Sequence, residues 1–271
     1  MIEKMWLQKL RKTSVTVHCL TNPVSVQDVA NVLLAAGGRA IMGLEESEVQ
    51  ELTACCQATL LNTGVPDEHK LCVCMLAGMK ANELEHPVIL DPVGAGASLF
   101  RKKALELVLK RVKPSLIRCN QEEACALLDL ERRPSGSVES SVVLTTKEQM
   151  SLAVTLARIY DCTVLVSGET DAVSDGERCT LLAGGDKRIR RITGSGCMLS
   201  ALCALFCGAG LAPYEAACAA GSIWKESAKI AGKRTDQVCG GIGSFHGHLF
   251  DALDGLCQGK SEAKPAKGDH R

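Results

Sequence analysis

Two glycines, a hydroxyl and a thiol follow one another at Gly194-Ser195-Gly196-Cys197, after a short extended stretch and before a long apolar run of helical character. A helix beginning here leaves its first backbone N–H groups unpaired and gathers the positive end of its dipole at one point. Glycine lets an anion approach those groups closely, so the loop suits the spread negative charge of a phosphoryl group in flight. The competing reading is that the glycines only pack a helix against a sheet. Better-known phosphate loops are absent: no G-x-x-x-x-G-K-[ST] occurs, and both Gly194-Ser195-Gly196 and Gly94-Ala95-Gly96 lack the third glycine of G-x-G-x-x-G.

Other polar groups follow short apolar runs. Asn62-Thr63-Gly64, Asp91-Pro92-Val93-Gly94, Arg118-Cys119-Asn120 and Ser167-Gly168 each come directly after one. Arg118 has the forked guanidinium that grips phosphate oxygens. Asp91 and Glu123 have the carboxylates that Mg2+ takes, one or two at a time, beside phosphates and water. Blander readings stand beside these: Glu123 as an acid in a helix's first turn, Asp91 as a turn residue before proline. His246-x-His248 places two imidazoles on different sides of a helix, which disfavours a shared metal and predicts exposure. His18 has no acid or base partner nearby in sequence.

The elements that must position these groups alternate. Buried strands are predicted over 58–61, 88–90, 116–117 and 163–166, with helices over 67–85, 99–112, 121–128 and 147–160 between and after them. Ser25 is a candidate cap for a helix that Gly37-Gly38 ends. Strands alternating with helices imply a mainly parallel sheet covered by helices on both faces, with ligands beyond the carboxyl ends of the strands. The Asp175-Gly176 turn predicts a hairpin pairing 172–174 with 179–183. Residues 197–232 are almost wholly helical in pattern, a last helix covers 245–256, and 258–271 is a polar tail. Residues 132–141, with Pro134 and Gly136, fit a surface loop, so one domain over 1–271 is expected.

Composition removes other classes. Lys plus Arg equal Asp plus Glu at 31 each, so no net field recruits nucleic acid or an anionic membrane. With 3% aromatic residues there are too few rings for a base-stacking surface. The 15 cysteines, many in apolar segments such as Cys203, Cys207 and Cys218, are expected as packed thiols rather than disulfides or zinc ligands. The charged start, without an apolar leader core, predicts a cytoplasmic protein. The longest apolar stretch falls short of the ~20 residues of a membrane span.

Taken in order, His18-Cys19-Leu20-Thr21-Asn22, Ala40-Ile41-Met42, Asp91-Pro92-Val93-Gly94-Ala95-Gly96-Ala97, Arg118-x-Asn120-x-x-Glu123 and Thr193-Gly194-Ser195-Gly196-Cys197 resemble hydroxyethylthiazole kinases over roughly residues 15–256. The glycine loop ending in cysteine separates that family from most ribokinase-like relatives, where aspartate stands. The resemblance implies a ribokinase-like α/β fold, ATP as co-substrate with Mg2+, and phosphorylation of the hydroxyl of 4-methyl-5-(2-hydroxyethyl)thiazole in thiamine metabolism. By the same resemblance, Met42, Asn22, Gly64 and Gly194 match thiazole-binding positions, and Arg118, Asn120 and Ser167 match ATP-binding positions. Cys197, at the end of the Gly194-Ser195-Gly196 loop, matches the residue beside the substrate hydroxyl. A homotrimer with sites at subunit boundaries is implied too. Cys119 stands where the family often has Gly, Ser167 where Thr is common, and Val65 where Thr often follows Asn-x-Gly. None of these removes a charge or the anion loop. A helix N-terminus tends to lower a thiol's pKa and favour thiolate, but a thiol is an unusual base and a modest contribution from Cys197 is expected. Two other readings remain open: another ribokinase-like enzyme, such as a hydroxymethylpyrimidine kinase or a repair dehydratase, and a non-catalytic nucleotide-binding protein.

Overall fold

The computed structural model describes residues 4–131 and 144–259. In chain order the elements are α1 (Lys4–Lys12), β1 (Thr16–Leu20), α2 (Val26–Ala35), β2 (Arg39–Ile41), α3 (Val49–Cys55), β3 (Ala58–Asn62), α4 (Glu68–Glu83), β4 (Val88–Asp91), α5 (Leu99–Arg111), β5 (Leu116–Asn120) and α6 (Gln121–Glu131). They continue with α7 (Thr146–Tyr160), β6 (Thr163–Ser167), β7 (Asp171–Ser174), β8 (Cys179–Leu182), a 3-10 turn (Lys187–Arg191), α8 (Ser195–Gly208), α9 (Pro213–Gln237) and α10 (Ile242–Gln258). The strands form one eight-stranded sheet in the order β2-β1-β3-β4-β5-β6-β7-β8. Every pair from β2 to β6 is parallel, and β6-β7-β8 is an antiparallel meander.

Successive side chains of a strand point to opposite faces, and here both faces are covered, so the strands are apolar throughout. Leu60, Ile89, Leu116 and Leu165 pack against α2, α8, α9 and α10 on one side. Their neighbours Leu61, Leu90, Ile117 and Val166 pack against α4, α5, α6 and α7 on the other. Local chemistry sets several helix starts. Thr145 and Glu148 form a reciprocal capping box on α7, Asp67 caps α4 at 2.7 Å from the Lys70 amide, and Ser98 caps α5. Asp161 closes α7 at φ 48°.

The predicted strands, hairpin and helices are all present, with β1, β2, α1 and α3 added to them. The helical pattern over 197–232 is two helices, broken between Gly208 and Pro213. Ser25 heads α2 but makes no capping bond. Its side chain turns instead toward the 194–197 loop, where its hydroxyl faces the Cys197 thiol. His246 and His248 are half-buried rather than exposed and have separate partners, Asp28 at 3.3 Å and the Thr235 hydroxyl at 3.1 Å. His18 is buried, with Nδ1 at 2.9 Å from Thr53 Oγ1 and Nε2 at 3.2 Å from the Gly43 carbonyl, a structural role at the end of the sheet. All 15 cysteines are free thiols. Among the described residues no helix is long and apolar enough to cross a membrane. The loop expected at 132–141 and the tail beyond Gly259 lie outside the described residues.

Candidate active site

Parallel register brings the polar strand ends together. Asn62 and Asp91 are direct partners at the ends of β3 and β4, as are Asn120 and Ser167 at the ends of β5 and β6. Asn62 is the hub of the first pair. Its Nδ2 donates to Asp91 Oδ2 at 2.7 Å and lies 3.1 Å from Cys197 Sγ, while its Oδ1 accepts from Asn22 Nδ2 at 3.0 Å and from the Gly64 amide at 2.9 Å. The four groups from 22, 62, 91 and 197 thus form one buried cluster beneath the start of α8. Gly64 has no room for a side chain, since a Cβ there would sit 2.9 Å from Asn62 Oδ1 and 3.0 Å from Asn22 Nδ2. The next residue, Val65, holds φ 49°, a left-handed conformation that β-branched residues avoid.

Arg118 joins the second pair to the first. Its guanidinium donates to the Ser167 hydroxyl and lies 3.5 Å from Asp91 Oδ1. The Arg118 Nε is buried with no hydrogen-bond partner, an atom in want of an acceptor. Glu123 accepts from the Gly94 amide at 3.0 Å through one oxygen and from the Asn120 amide at 2.9 Å through the other. Asn120 itself caps the turn by accepting from the Glu123 amide at 2.8 Å.

Asp91 is fully buried and Glu123 is 7% exposed. Burial pushes both carboxyls above the usual range, opposed first by the Arg118 guanidinium, and the Asp91 charge raises Glu123 further. For Arg118 burial works against the charge, but Asp91 and Glu123 together raise its pKa. Two carboxylates facing one guanidinium leave net negative charge in a dry crevice, which is the electrostatic setting a divalent cation needs.

Gly194 heads α8 at φ 76°, with Ser195 the first helical residue. Gly194, Ser195 and Gly196 are half-exposed, and the Ser195 amide donates to the Ile192 carbonyl at 3.3 Å. Gly196 passes so close to the guanidinium that a Cβ would lie 2.3 Å from Arg118 Nη1. The thiolate that a helix start favours is not what the surroundings of Cys197 favour. Burial, and then the Asp91 charge, push the thiol up to about 11, outweighing bonds from Ser25 and Asn62 and the pull of Arg118.

Met42 is the one sequence-selected residue that stands apart. It follows β2 at the sheet edge, is 37% exposed, and no described contact ties it to the cluster. Exposed Val24, Leu44 and Val65 lie at the same end of the sheet. Sequence reasoning did not single out Asn62 by role, although its place at a strand end was the signal. It also missed the buried Lys225–Asp171 pair at 3.2 Å, which braces the turn after Ser167: Lys225 donates to the Glu169 carbonyl and Asp171 accepts from the Gly168 amide. A separate cleft of about 510 Å³ opens among Asn82, His86, Lys113, Asp161 and Asp175, at the opposite, amino end of the strands, and contains none of the selected residues.

Known proteins are similar to this chain over most of its length. A hydroxyethylthiazole kinase from Alkaliphilus oremlandii is 37% identical over 254 residues, spanning 93% of this chain and 92% of its own. The solved structure of hydroxyethylthiazole kinase from Pyrococcus horikoshii OT3 superposes with a TM-score of 0.82 at 33% identity, covering 92% of this chain and 91% of that one. A ribokinase-like superfamily protein from Enterococcus faecalis, at 11% identity and a TM-score of 0.62 over 97% of this chain and 92% of its own, shares the fold alone. The family model described as the Hydroxyethylthiazole kinase family matches residues 7–259, and with a strand-end cluster, a glycine loop and a sheet of this order already in place, the chain belongs to that family.

Proposed function

We propose that this chain transfers the γ-phosphoryl group of ATP to the hydroxyl of 4-methyl-5-(2-hydroxyethyl)thiazole, as one ribokinase-like domain acting in cytoplasmic thiamine synthesis or salvage. The observation that carries this reading is the meeting of the Asn22–Asn62–Asp91–Cys197 cluster with the start of α8. The acceptor arm belongs on the side of Asn22, Gly64 and Gly194, with Met42 contributing from a neighbouring subunit of a homotrimer. The nucleotide belongs on the side of Arg118, Asn120 and Ser167.

In the transfer, the acceptor oxygen bonds to the γ-phosphorus and gives its proton to the transferred phosphate oxygens or to water as the bridging bond to ADP breaks, and ADP leaves with that electron pair. Little covalent help is needed, so alignment and charge stabilisation supply the rate. The amides of the 194–197 loop meet the charge on the migrating group, and the Arg118 Nε, the guanidinium nitrogen without a partner, is the donor left for a phosphate oxygen. Asp91 and Glu123 fit Mg2+ by their charge and burial, and would hold it directly or through water; when bound it neutralises phosphate oxygens. Among the described residues no cluster of three His, Cys, Asp or Glu side chains is arranged to hold a metal by itself.

The test is ADP release with Mg-ATP and a panel of thiazole and pyrimidine alcohols. Release that depends on the thiazole alcohol is expected. Dependence on a pyrimidine alcohol instead would move the chain to a sister activity, and release that ignores every alcohol would defeat the kinase reading. Because burial pushes the Cys197 thiol up to about 11, Cys197→Ala should keep turnover within about tenfold of the parent, below the roughly hundredfold or more that a general base contributes. A loss beyond about a thousandfold in steady-state kcat, with the fold intact, would restore Cys197 to the role of base.

A further inference from the structure

Three cations are buried in the described structure, and two of them have a carboxylate within 4 Å: Arg118 has Asp91 and Lys225 has Asp171. Lys70 is the third. It is 6% exposed, its ammonium donates to the Gly64 carbonyl, and no carboxylate pairs with it among the described residues. The nearest acid in sequence, Asp67, is occupied in capping the Lys70 backbone amide. Lys70 is moreover the third residue of α4, where the helix dipole disfavours a cation. Burial lowers its pKa, and the opposing influences come from Cys74, Asp67, Cys197 and Asp91, so its charge is sensed within the active-site cluster.

A buried ammonium at a helix start, with no carboxylate in salt-bridge reach, is a costly arrangement in the ligand-free protein. The cost is recovered if an anion arrives. Lys70 grips the same turn, 62–64, whose other polar atoms bind Asn62 and Asn22 on the acceptor side. Resting on the thiazole kinase reading above, we propose that Lys70 is a further residue of the acceptor half-site, its ammonium supplying the counter-charge for the phosphate ester formed on the alcohol. It stays protonated and takes no part in bond making. It distinguishes the phosphorylated from the free alcohol.

Calorimetric titration of the full chain with the thiazole alcohol and, separately, its phosphate ester tests this. In Lys70→Met the phosphate ester should bind about tenfold or more weakly and the alcohol within about twofold, the loss expected of one charge-assisted contact. Lys70→Arg should recover most of the phosphate affinity. The ligand-free melting temperature of Lys70→Met should stay within about 4 °C of the parent, because the lost bond to Gly64 is offset by the removed buried charge. Equal weakening of both ligands, no weakening of either, or a collapse in melting temperature would each overturn the proposal and leave Lys70 as a prop for the turn. A parent protein that binds neither ligand would overturn the functional reading itself, a result distinguishable from all of these.

Discussion

Gly196→Ala should reduce kcat/KM by about a thousandfold while the protein stays folded. Gly196 is the second residue of α8 and its φ is not in the left-handed region, so alanine is acceptable to the backbone and favoured by helix propensity. The obstacle is the Arg118 guanidinium, whose Cζ and Nη2 would both lie 2.7 Å from the new Cβ. A long side chain at a surface would swing away. Arg118 is 8% exposed, bonded to Ser167 and paired with Asp91, so it moves only by giving up those partners and its aim at the phosphates. Misplacement by about an ångström costs on the order of a hundredfold, and the loss of a charge-stabilising donor about a hundred- to a thousandfold. Gly194→Ala should fail for a different reason. The left-handed φ of 76° and a Cβ placed 2.7 Å from Ser25 Cβ destabilise the loop itself, so its melting temperature should fall along with its activity. Steady-state kinetics with thermal melts on both variants separate the two causes. Near-parental turnover in Gly196→Ala would mean that the loop and Arg118 do not act on a common phosphoryl group.

How far such an arrangement can be foreseen depends on the range of the forces involved. The glycine loop was legible because a helix start, its unpaired amides and the small residues that expose them are all local. The strands at 58–61, 88–90, 116–117 and 163–166 were legible because sheets covered on both faces demand short, wholly apolar runs. Strand β1 was not, since His18 interrupts its apolar pattern and is accommodated only by Thr53 and the Gly43 carbonyl, which the fold brings to it. The hub role of Asn62 depends on β3 lying beside β4 in a register that pairs it with Asp91, and nothing within either strand states that register. At Cys197 a local rule pointed the wrong way: the helix start favours thiolate, but burial under α8 and the neighbouring Asp91 charge outweigh it. Lys70 and Lys225 are single lysines in helical segments, indistinguishable in sequence from solvated ones until the fold closes over them.

Asp91→Asn should abolish turnover, by a thousandfold or more in kcat, yet leave the ligand-free protein as stable as the parent or more so. The reasoning starts from charge. Asp91 and Glu123 share one guanidinium, and burial holds both carboxyls above their usual range despite it. An acid whose folded pKa lies above its unfolded value stabilises the fold fully only below the unfolded value, near ~4, and that contribution is lost as pH rises through the folded value. When ionised, Asp91 is therefore a burden on the ligand-free protein, as expected of a carboxylate kept for the metal and phosphate role proposed above. Ligand-free stability should accordingly rise as pH falls from neutrality toward the ordinary carboxylate range, and Asp91→Asn should flatten that rise. Arg118→Met has the opposite sign, because it strips two buried carboxylates of their counter-charge, and should cost about 3–5 kcal/mol at neutral pH, the range for breaking a buried pair. Combining the two substitutions should return a good part of that loss while activity stays absent, since the partners are coupled through one contact. Denaturant melts of the four proteins at two pH values, set against single-turnover rates, test every arm. If Asp91→Asn alone loses as much stability as Arg118→Met, the carboxylate is a structural partner of the arginine, and the assignment of Asp91 to metal and phosphate chemistry falls.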